Sequence, residues 1–119
     1  MKVLIIDDSA LARRVLKNIL ANASYDVIEA EDGITGIEKY FLEKPDVVFL
    51  DLTMEGLKGI DVLRKIREMD KNSKIIVATA DIQAATKEEV LREGAIGFVN
   101  KPFSPEKVMD ELKKVKNGG

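Results

Sequence analysis

The chain has 119 residues, no cysteine, no histidine, and 19 basic against 21 acidic side chains, for a net charge of −2. That length suits one domain burying roughly two-thirds of its unfolded surface without disulfides or a zinc staple, and the missing Cys and His exclude Ser-His and Cys-His nucleophile pairs and most zinc chemistry. The mixed charge offers no footprint for nucleic acid, the apolar runs are too short for a membrane span or a signal peptide, and the lack of Cys suits a reducing cytoplasm.

Val3–Ile6 predicts a short buried strand that ends on Asp7 and Asp8. A helix should follow, with Leu11, Val15, Ile19 and Leu20 facing inward and Arg13, Arg14, Lys17 and Asn18 forming a solvated face. The second strand, Tyr25–Ala30, runs into Glu31 and Asp32. These acids suit a helix N-terminus, with Asp32 as N-cap of a helix marked by Ile34, Ile37 and Phe41. The third strand, Asp46–Leu50, stops on Asp51, and Ile60, Leu63 and Ile66 mark the next helix. Lys74–Thr79 gives a fourth strand, and a helix using Val90 and Leu91 stops at Gly94. Ile96–Asn100 gives a fifth strand directly before Lys101. Ser104 then caps a last helix that has Pro105 at its first position and buries Val108, Leu112 and Val115, before a frayed Asn117-Gly118-Gly119 end.

Short strands alternating with helices imply an α/β fold: βα units, right-handed crossovers and one parallel sheet covered on both faces. Sites in such sheets lie at the carboxyl ends of the strands. Read in turn, those ends supply Asp7 and Asp8, Asp51, Thr79 and Lys101. Three carboxylates at one rim repel, and one lysine cannot neutralise them all, so either a proton or a cation must join them. All-oxygen ligands favour a hard ion such as Mg²⁺. With an amine and a hydroxyl beside it, the set is equipped for carboxylate attack on phosphorus. The alternative, ordinary loop acids capping helices, explains each acid singly but not five groups at one rim.

Ile5-Ile6-Asp7-Asp8-Ser9, Asp51-Leu52-Thr53-Met54 with Gly59, Val77-Ala78-Thr79-Ala80, Gly94-Ala95 and Lys101-Pro102-Phe103 occur in order across the whole chain. In these motifs the sequence resembles the receiver domains of two-component response regulators, most closely the free-standing chemotaxis type. The resemblance implies a single-domain, doubly wound, flavodoxin-like (βα)5 fold with strand order 2-1-3-4-5. It implies that Asp51 is the phosphoacceptor and that Asp7 and Asp8, with Asp51 and the Thr53 backbone carbonyl, hold Mg²⁺. Thr79 and Lys101 would contact the phosphoryl group, Phe98 would be the switch aromatic, and a cis peptide would precede Pro102. A sensor histidine kinase is the implied phosphodonor. The implied output is a protein target docked on the fourth helix, fifth strand and fifth helix through Ala84, Lys87, Phe98 and Lys107. The chain is then a monomeric switch and not an enzyme in the ordinary sense, with no direct nucleic-acid or membrane partner. Glu55 departs from the pattern, which usually has Pro there, and Thr53 and Asp81 fall at positions that tune phosphoryl lifetime in the family.

Other classes fit less well. An aspartate-nucleophile phosphatase of the haloacid dehalogenase type wants a second Asp two residues after the nucleophile, where Thr53 stands, and places the nucleophile on an early strand. A flavin carrier of the same fold needs a phosphate loop after the first strand, and Asp7-Asp8 would repel that phosphate. A receiver that has lost phosphorylation would not keep all five groups.

Overall fold

The computed structural model describes residues 1–54, 56–80 and 83–116. Its elements alternate as β1 (Lys2–Ile6), α1 (Ala10–Asn22), β2 (Asp26–Ala30), α2 (Gly33–Glu43), β3 (Val47–Leu50), α3 (Gly59–Met69), β4 (Ile75–Thr79), α4 (Ala84–Arg92), β5 (Gly97–Asn100) and α5 (Pro105–Lys116). The five strands form one parallel sheet in the order β2-β1-β3-β4-β5. The predicted fold class and strand order are both observed. Glu55, Asp81, the 117–119 end and the Ala84 side chain lie outside the described residues.

β1, β3 and β4 are apolar on both faces because helices cover both, so their residues read as continuous runs rather than alternating ones. On one face Leu4, Ile6, Val48, Leu50, Ile75 and Val77 meet Tyr40 of α2, Val62, Leu63 and Ile66 of α3 and Val90 of α4. On the other, Val3, Ile5, Phe49, Ile76 and Val99 meet Leu16 and Leu20 of α1 and Val108 and Leu112 of α5.

The helix faces differ from the sequence reading at several points. Leu11 and Val15 are exposed, and Leu16 joins Leu20 as the buried stripe of α1. Arg13 does not point into solvent: its side chain is only 15% exposed and folds back against the turn after β1. In α2, Ile34 and Phe41 lie at the surface while Gly33, Gly36 and Tyr40 are buried. A Cβ on Gly36 would stand 2.6 Å from Ile6 Cδ1, so the helix packs on the sheet through an absent side chain. Leu91 is likewise exposed. The caps fare better. Asp32 accepts from the Thr35 amide at 2.7 Å, Ser104 from the Lys107 amide at 3.5 Å, and Gly94 ends α4 at φ +104°.

Candidate functional site

Parallel strands place all five carboxyl ends at one rim, and the ladder continues one residue past three of them. The Asp7 amide donates to the Ala30 carbonyl at 3.1 Å, the Asp51 amide to Ile6 at 2.9 Å and the Lys101 amide to Thr79 at 3.0 Å. The backbones of three predicted site residues are therefore fixed by the sheet and not by mobile loops. The Lys101-Pro102 peptide is cis, as the resemblance implied.

The side chains converge. Asp7, Asp51 and Thr79 are buried, at 3%, 2% and 0% exposure, while Asp8 is exposed at the mouth. Carboxylate oxygens of Asp7, Asp8 and Asp51 lie within 4.8 Å of one another. The Lys101 ammonium sits 2.7 Å from Asp7 Oδ2 and 3.4 Å from Asp51 Oδ2. Asp7 Oδ1 also accepts the Ser9 amide at 2.9 Å, and Ser9 Oγ caps α1 by accepting from Ala12 at 3.1 Å. The turn that aims Asp7 thus also starts the helix.

The β3–α3 loop is shaped by a close approach. A Cβ on Gly59 would collide with the Asp51 carbonyl oxygen and Leu52 Cα, so only glycine lets α3 start this near the strand end. Thr53 adds a contact that the sequence reading missed. Its Oγ1 lies 3.1 Å from Asp51 Oδ1 and its amide donates to the same oxygen at 3.2 Å. The sequence reading gives Thr53 a carbonyl role and a place among the lifetime-tuning positions but no contact with Asp51, although a hydroxyl two residues after an Asp is a recognisable turn-forming signal.

Burial pushes the Asp7 carboxyl above its ordinary range, and the neighbouring Asp51 adds to this, while Lys101 and the Ser9 amide oppose it. Two carboxylate oxygens 4.8 Å apart repel by about 3.5 kcal/mol at an effective dielectric near 20. Among the described residues, three acids face one ammonium in this partly dry cleft, an excess of negative charge. An all-oxygen cluster with that excess charge fits a hard divalent cation of the Mg²⁺ type.

Phe98 packs on the same side of the sheet as Tyr40 and Leu63, and Val99 on the opposite side. Val77 pairs with Phe98 and Thr79 with Asn100 in the β4–β5 register, so Thr79 and Phe98 share one face, one step apart along it. Lys87 Nζ lies 5.3 Å above the Phe98 ring. With Lys107 these residues border a cleft of about 370 Å³ between α4, β5 and α5.

The family description for the response regulator receiver domain matches residues 3–113. The chain belongs to that family. A chemotaxis protein CheY from Thermotoga maritima is 44% identical over 115 residues, 96% of each chain. The CheY of Bacillus subtilis is 35% identical over 98% of each. Among solved structures, the CheX–CheY–BeF3–Mg²⁺ complex from Borrelia burgdorferi matches with a TM-score of 0.94 at 33% identity, covering 98% of this chain and 89% of that one. As a receiver domain of the CheY-like kind, the chain is a phosphorylation switch of two-component signal transduction. The phosphatase alternative finds no support, since the candidate nucleophile ends the third strand and Thr53 occupies the general-acid position. No helix among the described residues is long and apolar enough to cross a membrane.

Proposed function

We propose that Asp51 is the phosphoacceptor of this receiver domain. The observation that carries the reading is a carboxylate 2% exposed at a strand end, grouped with Asp7 and Asp8 and faced by an ammonium at 3.4 Å. In the transfer, an Asp51 carboxylate oxygen attacks the phosphorus of a phosphohistidine on a sensor kinase. The phosphorus–nitrogen bond breaks, and its electron pair leaves with the imidazole. Asp7, Asp8 and Asp51, with the Thr53 backbone carbonyl, would hold Mg²⁺, which supplies charge neutralisation on the phosphoryl oxygens when bound. Lys101 balances charge beside Asp51, and Thr79 offers a hydrogen bond at the adjacent strand end. The protein turns over only its own phosphoryl group and is not otherwise an enzyme.

The output reading is a protein target on the α4–β5–α5 face, including Ala84, Lys87, Phe98 and Lys107, with the chain acting as a cytoplasmic monomer. Its support is the shared face of Thr79 and Phe98, which puts Phe98 one step along the sheet from a phosphoryl-induced movement of Thr79. Incubation with Mg²⁺ and acetyl phosphate should add one acid-stable, base-labile phosphoryl group by intact mass to the wild type and none to Asp51→Asn or to protein in excess EDTA. Equal labelling of Asp51→Asn would refute the assignment. Amide shifts induced by beryllofluoride should extend to residues 87–107; a response confined to the Asp51 loop would rule out this face as the output.

A further inference from the structure

Asp7 and Asp8 are joined by one peptide group, so whatever fixes that group fixes both carboxylates. Its neighbour on the N-terminal side is already held, because the Asp7 amide donates to Ala30. The linking peptide itself is held by Arg13. One arm of the guanidinium, Nη1, donates to the Asp7 carbonyl oxygen at 2.6 Å, and Nε lies 3.3 Å from Glu29 Oε1 on β2. Lys17 braces the other Glu29 oxygen at 3.5 Å, and Lys39 donates to the Glu29 carbonyl at 2.5 Å. Glu29 is therefore a strand-borne anchor for a guanidinium whose function is not exhausted by a surface ion pair. Only a rigid fork spans a carbonyl on one strand end and a carboxylate on the neighbouring strand.

We propose that Arg13 is a positioning residue for the acidic turn: anchored by Glu29, it holds the Asp7–Asp8 peptide so that both carboxylates face Asp51. This rests on the reading of Asp7, Asp8 and Asp51 as the cation ligands. Groups behind a ligand commonly change metal affinity by 10–100-fold when removed. Charge alone predicts the opposite sign, because deleting a cation beside an acidic cluster should tighten binding of a second cation. The two effects are thus separable in one measurement.

Mg²⁺ titration calorimetry on the full chain should give Arg13→Gln about tenfold weaker affinity than the wild type. Arg14→Gln removes the same charge from an exposed neighbour and should bind as the wild type does. Arg13→Lys keeps the charge without the fork and should remain severalfold weak. Asp8→Ala tests the parent reading separately and should lose binding whatever Arg13 does. In metal-free protein, the Ser9 amide that donates to Asp7 should exchange faster with solvent in Arg13→Gln, a readout that needs no cation. Affinity unchanged or tightened in Arg13→Gln, equal weakening in Arg14→Gln, or unchanged Ser9 exchange would each overturn the proposal.

Discussion

Replacing Lys101 with Met keeps most of the aliphatic stem and removes the ammonium that bridges Asp7 and Asp51. At an effective dielectric near 20, the ammonium at 3.4 Å attracts Asp51 by about 5 kcal/mol and at 2.7 Å attracts Asp7 by about 6 kcal/mol. These are gross terms offset by desolvation; breaking such buried pairs costs about 3–5 kcal/mol net. With the lysine side chain 20% exposed, the lower end applies, and metal-free Lys101→Met should lose about 3 kcal/mol at about pH 8. The penalty should shrink as pH falls. Asp7 already has a raised folded pKa, and the variant lacks the lysine that opposes the rise, so its native state binds a proton that the unfolded chain releases. A native state that holds more protons gains stability as pH falls through its folded pKa towards the unfolded value, and loses it as pH rises. Mg²⁺ should do the same work as the proton and bring the two proteins to within about 1 kcal/mol. Urea denaturation at about pH 8 and about pH 5, with Mg²⁺ and with EDTA, reads all of this. A penalty independent of both pH and Mg²⁺ would show that Lys101 acts by packing and that the charge argument is wrong.

Two further perturbations separate the site from the scaffold. Gly59→Ala should cost about 2 kcal/mol or more in urea denaturation and slow acetyl-phosphate labelling, because the added methyl meets the Asp51–Leu52 backbone, which the sheet holds in place. Tyr40→Phe removes a 2.6 Å hydrogen bond to Asp70, far from the rim, and should cost about 1 kcal/mol at neutral pH while leaving labelling unchanged. The Tyr40 hydroxyl lowers the Asp70 pKa, so this stability is present above the unfolded carboxyl value and lost as pH falls through the folded one. The wild type and Tyr40→Phe should therefore converge in strongly acidic urea titrations.

The strands and the rim were legible because a doubly covered parallel sheet writes itself as short apolar runs, and three of the runs here stop on a polar group, Asp7, Asp51 or Lys101, that the ladder then pins. The helix faces were not legible to the same depth. Leu11, Val15, Leu16, Ile19 and Leu20 supply two overlapping stripes on α1, and only the sheet selects Leu16 with Leu20. On α2 the buried positions include Gly33 and Gly36, which no hydrophobicity pattern marks, since they matter by lacking a side chain. The charge of Arg13 points to solvent, yet its guanidinium meets both Glu29 and the Asp7 carbonyl, the second a partner in place only once β1 and α1 have turned together. The available signal was Glu29, an acid in the interior of a strand without a partner nearby in sequence.

That same geometry bounds how strongly the proposed switch can act. Lys101 is divided between two carboxylates, closer to Asp7 than to Asp51. A phosphoryl group on Asp51 would carry about −1.5 to −2 charges in place of the carboxylate's own negative charge, a net gain of up to about one negative charge on one side of the ammonium. The balance would tilt towards the phosphoryl oxygens and away from Asp7. Each of these exchanges substitutes one charge-assisted contact for another, so the net gain is a difference of similar terms. Moving a population from 1:99 to 99:1 needs about 5.5 kcal/mol of differential stabilisation. An exchange of one ammonium contact and one hydroxyl contact, each worth about 1–3 kcal/mol, falls short of that unless the partner contributes. Phosphorylation should accordingly strengthen a partner's binding to the α4–β5–α5 face by a finite factor, with measurable affinity left in the unphosphorylated chain.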